Sequence, residues 1–311
     1  MIRSVVSWGL FPGLLTTGLV ATWLGLRAGY DVTPVAMAVV LAGAVPLLIA
    51  QRFMPAERNW MAGRKIVSID LLHMASTAAA TESVRAVAMG LVLQAAVVLH
   101  GWLGSTLWPT SWPLPVQLAV GIVVGDFGAY WVHRLCHRYP VMWRVHAMHH
   151  SSEQMYVFAA ARNHPANAIL MNAAHLMPLT LLGAPVEIIA LTTVFTGLHG
   201  MLQHCNVDLR HGWLNQVFST ADLHRWHHSS DYEESNLNFG NNLSIWDTMF
   251  GTRYLPEGRP QQVGLGEHRL PENFLAHLAS PFVLNRLLRP VESQPEPTEP
   301  APDGPTIIPA A

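Results

Sequence analysis

Long stretches without a charged residue are the feature that most restricts how this chain can fold. Residues 4–26 and 32–51 carry no charge, and neither does the much longer stretch 86–125. Trp-Pro pairs between 108 and 115 divide this last stretch into two parts. Because the hydrocarbon core of a bilayer takes roughly 20 apolar residues of helix, we expect four membrane-spanning helices, at 4–26, 32–51, 86–105 and 114–132.

A fifth apolar stretch, 166–201, contains Glu187 as its single charged residue. The sequence Leu-Gly-Ala-Pro at 182–185 divides it, and a Gly-x-Pro pattern is typical of a turn. This predicts a helical hairpin that either spans the bilayer or re-enters it from one side. The predicted fold class is therefore all-α: an integral membrane protein with four spans, the hairpin and a helical cap. Residues 1–288 should form this one domain, and the Pro- and Glu-rich stretch 289–311 a disordered tail.

Basic residues indicate the orientation of the spans. The connection between the second and third spans contains Arg52, Arg58, Arg64, Lys65 and Arg85. Since cytoplasmic loops are enriched in Lys and Arg, we expect this connection to be cytoplasmic. Counting spans then places the N-terminus and everything after the fourth span on the cytoplasmic side as well.

Composition excludes several classes of protein and draws attention to histidine. Charged residues make up only 12% of the 311, about half the usual share. The net charge of -2 argues against a nucleic-acid-binding protein. The 50% hydrophobic content argues against a disordered chain, and a chain with only two cysteines cannot form a disulfide scaffold. The 17 histidines nearly equal the 18 Lys and Arg together.

Eight of these histidines form three clusters with helical spacing. Residues three and four positions apart share one face of a helix, so each cluster can direct two or three imidazoles to one place. Eight imidazoles exceed what one metal ion accepts, which indicates two adjacent ions. Imidazole suits Zn, Cu, Fe and Ni, so the spacing alone does not select the metal. The clusters are His133 with His137, His146 with His149 and His150, and His224 with His227 and His228.

The order of motifs between residues 125 and 254 resembles the fatty acid hydroxylase, or sterol desaturase, superfamily of integral-membrane di-iron oxygenases. The motifs are Asp126-Phe-x-x-Tyr-Trp-x-His-Arg-x-x-His, Trp143-Arg-x-His-x-x-His-His-Ser-Ser, Ala-Arg162-x-His164-Pro, His204-x-Asn206, His224-Arg-Trp-His-His-Ser, Asn238-Phe-Gly-Asn and Trp246-Asp-Thr-Met-Phe-Gly-Thr252.

This resemblance implies an enzyme that uses two iron ions, molecular oxygen and external electrons to oxidise an unactivated C–H bond of a lipid. It implies that the eight clustered histidines are metal ligands and that His204 is a ninth. His164 and His199 are further candidates, although His164 could instead form a hydrogen bond at a helix end beside Pro165.

Histidine ligands need hydrogen-bond acceptors that fix their tautomers. Asp126 is a candidate because it lies seven residues before His133, on the same helix face. Asp247 is another, although its carboxylate could instead cap a helix. Asp222 and Asn206 are further candidates for such acceptors, as are Glu153 and Asp231.

Several alternatives stay open at this point. The same site could desaturate its substrate rather than hydroxylate it, and the lipid could be a fatty acyl chain, a sterol, an ether lipid or an aminolipid. A membrane metal transporter or metal-binding protein is the alternative of a different class. Transporter ligands lie near the bilayer midplane, whereas these clusters lie at or beyond the predicted ends of spans. The sequence contains no flavin or haem fingerprint, so we expect a separate reductase, ferredoxin or cytochrome to deliver electrons at the cytoplasmic face.

Overall fold

The computed structural model describes residues 2–291, except for the side chains at positions 85, 86 and 89, and it is mostly helical. This confirms the predicted all-α fold. The helices are α1 (Ile2–Arg27), α2 (Val32–Phe53), α3 (Arg64–Leu103), α4 (Leu114–Arg138), α5 (Pro140–His150), α6 (Pro165–Leu182), α7 (Val186–His204), α8 (Ala221–His227), α9 (Tyr232–Ser235), α10 (Ile245–Phe250) and α11 (Phe274–Leu287). Short 3-10 turns lie at Arg58–Trp60, Val157–Ala161 and Gly212–Gln216.

Within the described residues, four helices are long and apolar enough to cross a membrane: α1, α2, α4 and α7. Three of the four predicted spans fall in α1, α2 and α4. The predicted span 86–105 differs, because it is the second half of the 40-residue α3, whose apolar part is Gly90–Leu103. Helix α3 begins at Arg64 because the segment before the apolar part contains no proline or glycine that would end a helix. The fourth candidate span is α7, from the predicted hairpin.

The predicted hairpin is present as α6 and α7. Gly183 lies between them in the left-handed region, with φ of 82°, which a glycine adopts without strain. His100 of α3 donates a hydrogen bond to the carbonyl of Leu181 at 3.0 Å, so this turn is held against the apolar end of α3. Helix α6 then packs against α3 and α4, and α7 packs against α1 and α2.

A two-stranded antiparallel sheet lies at the start of the segment that was predicted to be a tail. His268–Arg269 pairs with Arg289–Pro290, so residues 289 and 290 are ordered by hydrogen bonds to the cap. The remainder of the predicted tail, 292–311, lies outside the described residues.

Close contact between α4 and α6 fixes the position of α4 and therefore of the histidines at its end. A Cβ atom at Gly128 would overlap the carbonyl oxygen of Ala174. One turn earlier, a Cβ atom at Gly125 would lie 2.7 Å from the ring of His175. The two helix backbones can approach this closely only because these positions have no side chain.

Gly128→Ala is therefore expected to lower the free energy of unfolding by about 1–3 kcal/mol, the usual cost of overpacking. The added methyl group would meet a backbone carbonyl oxygen, which cannot change position as a flexible side chain can. Thermal unfolding in detergent measures the change, with Gly101→Ala in α3 as the control because an added Cβ there meets nothing within 4 Å. Equal melting temperatures for the two variants would contradict the role of this contact.

Candidate metal centre

The structure brings all nine predicted ligands together in the cap, in two adjacent groups. Within each group the nitrogen atoms that face one another lie within 4.8 Å. Only His137 is partly exposed, and the other eight side chains are buried. The first group comprises His133, His137, His146, His150 and His227, and the second comprises His149, His204, His224 and His228.

Each His-x-x-His-His motif is divided between the two groups, which the spacing alone does not predict. In α5, the pair His146 and His150 enters the first group and His149 enters the second. In α8 the arrangement is reversed, since His224 and His228 enter the second group and His227 enters the first. Consecutive residues of a helix point about 100° apart. One motif therefore serves two neighbouring sites, and it does not direct all its imidazoles to one place as expected.

The Nε2 atoms converge within each group. In the first group, His133 and His146, His146 and His150, and His137 and His150 have Nε2 atoms 3.1 Å apart. In the second, the Nε2 atom of His224 lies 3.1 Å from those of His204 and His228. The two groups adjoin, because the rings of His150 and His228 stack with centroids 4.4 Å apart.

In five of the nine rings the opposite nitrogen, Nδ1, donates to an oxygen atom that can only accept a hydrogen bond. His133 donates to the Phe239 carbonyl at 2.9 Å, His204 to the Gly200 carbonyl at 2.8 Å and His227 to the Leu237 carbonyl at 2.8 Å. His149 donates to the Arg162 carbonyl and His146 to the amide oxygen of Asn167, both at 3.2 Å. These bonds place the proton on Nδ1, so in all five rings Nε2 carries a bare lone pair.

These tautomers leave several facing nitrogens without a proton to share. The Nε2 atoms of His133 and His146 are 3.1 Å apart, and both are acceptors. The Nε2 atom of His227 is buried and has no hydrogen-bond partner. Two lone pairs at this distance repel unless a cation lies between them, so the donor set of each group fits a metal ion.

Known proteins carry the same pattern. A family model described as fatty acid hydroxylase matches residues 118–252, the segment that contains all nine histidines. The ornithine lipid hydroxylase of Rhizobium tropici is 35% identical over 285 residues, which cover 90% of this chain and 85% of that protein. The chain belongs to the fatty acid hydroxylase family. This confirms the resemblance inferred from the motifs.

More distant relatives share the histidine-containing part. The human alkylglycerol monooxygenase is 31% identical over 154 residues, 50% of this chain and 34% of that protein. A methylsterol monooxygenase of Arabidopsis thaliana is 26% identical over 151 residues, 46% of this chain and 56% of that protein. No solved structure matches the chain. Since these relatives are lipid hydroxylases and monooxygenases, this fatty acid hydroxylase family member is an oxidoreductase with a histidine cluster suited to metal.

Four side chains were expected to accept hydrogen bonds from the ligands, and in the described part of the chain none of them bonds any of the nine histidines: Asp126, Asp222, Asp247 and Asn206. Asp222 accepts from His211 at 2.9 Å and from Asn215 at 3.1 Å. The amide of Asn206 bonds the backbone N–H and carbonyl of Glu57 at 2.9 and 2.7 Å. Backbone carbonyls and Asn167 accept the hydrogen bonds from the ligands instead, and this corrects the prediction. Glu153 and Asp231 also bond elsewhere.

Asp126 and Asp247 contribute to the first group indirectly, because they bind the loop 239–243. Asp247 accepts from the backbone N–H groups of Phe239 at 2.7 Å and Gly240 at 2.9 Å. Asp126 accepts from the N–H groups of Asn242 at 2.6 Å and Leu243 at 2.9 Å. Both carboxylates thereby fix the loop whose Phe239 carbonyl binds His133. Asp247 does not cap α10, whose N-cap is Ser244.

A separate buried carboxylate fixes the carbonyl that binds His149 of the second group. The side chain of Arg162 is buried, and its Nε donates to Asp70 of α3 at 2.7 Å. The hydroxyl of Tyr156 donates to the other oxygen of Asp70. Asp70 could not be predicted from the sequence, because it lies 92 residues from Arg162 and no local motif marks it.

The two further ligand candidates lie outside both groups. His164 is the N-cap of α6, where its Nδ1 accepts from the Ala166 N–H at 3.1 Å and its Nε2 donates to the Leu278 carbonyl at 3.2 Å. This is the alternative helix-end role. His199 is buried between Phe11 and Phe195, with ring centroids 5.6 and 5.5 Å away.

The metal-free protein is expected to lose stability as the pH falls from about 6.5 to about 4. Burial lowers the pKa of His149 from 6.5 to about 4. Burial, together with neighbouring imidazoles, also lowers the pKa values of His146, His150, His224, His227 and His228 well below 6.5. In this range the unfolded chain binds more protons than the folded one, so the free energy of unfolding decreases with falling pH. Urea unfolding of chelator-treated protein measures this, and saturating metal should shift the loss to lower pH. An unfolding midpoint that does not change with pH would contradict the neutral imidazoles.

Proposed function

We propose that the chain is a di-iron, oxygen-dependent membrane enzyme that hydroxylates an unactivated C–H bond of an aminolipid. The observation that carries the proposal is the pair of adjacent histidine groups with converging Nε2 atoms. The similarity to an ornithine lipid hydroxylase extends over 90% of this chain, and this supports the choice of an aminolipid as the substrate. We infer that the nine histidines are the ligands, five for one iron and four for the other.

The role of the protein follows from the geometry of these residues. When bound, the iron pair supplies the oxygen activation needed to break an alkyl C–H bond, chemistry that side chains alone lack. The carbonyl acceptors hold five imidazoles in the tautomer that presents a lone pair to the metal. Burial of eight of the nine histidines excludes water from the centre.

His137 marks the side from which substrate reaches the centre, because it is the only partly exposed member. Trp143 lies against it, with ring centroids 5.2 Å apart. Tyr139, between α4 and α5, is 55% exposed, and Val141, in the first turn of α5, is 79% exposed. An apolar chain from the bilayer can pack along these side chains while its reactive carbon approaches the first group.

Electrons come from a separate donor, a reductase, ferredoxin or cytochrome, that docks on the cap. The arginines and lysine between α2 and the apolar half of α3 favour a cytoplasmic N-terminus and a cytoplasmic metal centre. The transporter alternative is disfavoured because the histidines lie at the ends of α4 and α7 and in the cap helices α5 and α8.

Lipid mass spectrometry tests this proposal. The gene is expressed in a host that contains ornithine lipids but no hydroxylase for them, beside an empty vector and His150→Ala. One added oxygen atom on the ornithine lipid, with wild-type protein only, is the expected result. A loss of two hydrogens would indicate desaturation, and oxygen added to another lipid would overturn the aminolipid. Protein purified without iron would overturn the di-iron centre.

A further inference from the structure

A cavity of about 920 Å³ lies where α1 begins and α2 ends, and none of the nine histidines lines it. Its wall includes the extended segment that follows α7. In this segment the Asp208 N–H donates to the Met54 carbonyl at 3.1 Å, and the Arg210 N–H donates to the Ser7 carbonyl at 2.8 Å. Three parts of the chain that are distant in sequence therefore build one cavity, and backbone hydrogen bonds hold them in place.

Each of these three parts contributes one arginine to the cavity: Arg3, Arg58 and Arg210. In the part of the chain that the structure describes, none of the three side chains has an ion pair or a hydrogen bond. Two carboxylates also line the cavity, but Arg259 binds both, Glu57 at 2.9 Å and Asp208 at 2.7 Å. Counting Arg259, four guanidinium groups stand against two carboxylates at this cavity, which leaves an excess of two positive charges.

An excess of guanidinium groups over carboxylates around one cavity creates a positive potential, and a bound anion offsets it. The planar guanidinium donates paired hydrogen bonds to carboxylate and phosphate oxygens. The chemistry of the cavity therefore suits an anionic group with several oxygen atoms.

Apolar side chains beside the cavity indicate where such an anion comes from. Ile2 and Val5 flank Arg3 and are 78% and 66% exposed, and Phe53 at the end of α2 is 71% exposed. All three belong to candidate membrane spans. A ligand at this site meets guanidinium groups on one side and the acyl layer on the other.

We propose that this cavity binds the anionic headgroup of a membrane lipid, with its acyl chains along α1 and α2. Asn206 connects the site to the metal centre, since its amide bonds both backbone groups of Glu57 and it follows His204 by two residues. A bound lipid therefore braces the segment that continues from the second group. The proposal does not depend on the reaction assigned above.

Native mass spectrometry of the full-length protein in detergent tests the site, with phosphatidylglycerol as the probe and phosphatidylcholine as the neutral comparison. We expect wild-type protein to retain one phosphatidylglycerol, and Arg3→Gln/Arg58→Gln/Arg210→Gln to retain at least tenfold less. The matched control is Arg27→Gln/Arg286→Gln/Arg289→Gln, which removes three exposed arginines elsewhere and should retain the lipid as wild type does. Excess inorganic phosphate should not displace it.

Equal retention of both lipids, or unchanged retention in the cavity variant, would overturn the proposal. Displacement by inorganic phosphate would also overturn it, because it would show a site for small anions. Should the triple variant fail to fold, Arg58→Gln alone takes its place. Arg58 is exposed and outside the regular helices, so this variant keeps the fold and should lose at least threefold retention. If the arginines affect only the KM for an acidic electron donor, the surface serves a protein and not a lipid.

Discussion

Replacing His224 with alanine is expected to abolish lipid hydroxylation and to halve the iron content of the purified protein. His224 is the central member of the second group, because its Nε2 atom lies 3.1 Å from those of both His204 and His228. His150 has the same place in the first group, with Nε2 atoms of His146 and His137 at 3.1 Å. His150→Ala should therefore have the same two effects through the other metal.

Lipid mass spectrometry and metal analysis of both variants provide the measurement. We expect half of the iron to be lost and not all of it, because each substitution removes one metal site and leaves the other group of histidines complete. His268→Ala is the matched control, because this histidine is exposed and belongs to neither group. Turnover retained by His224→Ala would remove it from the ligand set, and complete loss of iron would show that neither group binds metal alone.

Eight residues of the two groups could be predicted from their spacing and His204 from the family resemblance, but the division into two groups could not. Spacing of three and four residues is visible in the chain, and it shows which imidazoles share a helix face. Whether His149 joins His146 or His204 depends on how α5 and α8 pack across the end of α4. That packing is set by contacts distant in sequence, so no local pattern encodes it.

The hydrogen-bond acceptors around the histidines were mispredicted for a related reason. The sequence offers carboxylates such as Asp126 and Asp222 as acceptors, yet the structure uses the carbonyls of Phe239, Leu237, Arg162 and Gly200. Every residue has a carbonyl, so composition and motifs contain no signal for these four. Asp126 and Asp247 instead hold the loop that presents the Phe239 carbonyl, which only the tertiary structure shows.

The membrane helices show a similar limit. Charge-free stretches located α1, α2 and α4 well, because a bilayer demands such stretches. The same criterion did not predict that α3 is one continuous helix. It placed a boundary near residue 86, where the charged residues end, although the helix continues through this position. Asp70 lies in this overlooked half of α3, which is why its contact with Arg162 was not anticipated.

Asp70 is expected to control the metal of the second group alone. Its carboxylate binds the buried side chain of Arg162 at 2.7 Å, and the carbonyl of Arg162 accepts the Nδ1 proton of His149. Asp70→Asn should destabilise the protein by about 3–5 kcal/mol, because it leaves a buried guanidinium without its counter-charge. That variant alone would not separate a role in folding from a role at the metal.

Asp70→Leu/Arg162→Met separates the two roles, because replacing both members of a buried ion pair with apolar residues of similar volume is often neutral or stabilising. The fold should survive while the Arg162 carbonyl loses its anchor. Losing such an outer contact typically costs about 10–100-fold in metal affinity. We therefore expect a chelator to remove half of the iron at least tenfold faster than from wild-type protein, and the other half at the wild-type rate.

The first group offers the complementary variant. Asp247→Asn weakens the loop that presents the Phe239 carbonyl to His133, so it should release the other half of the iron. Combining it with Asp70→Leu/Arg162→Met should make both halves labile. Asp222→Asn is the control, since Asp222 bonds His211 and Asn215 and touches neither group. If Asp70→Leu/Arg162→Met keeps both ions at wild-type affinity, the buried pair serves folding only; if both ions become equally labile, the two groups are not held independently.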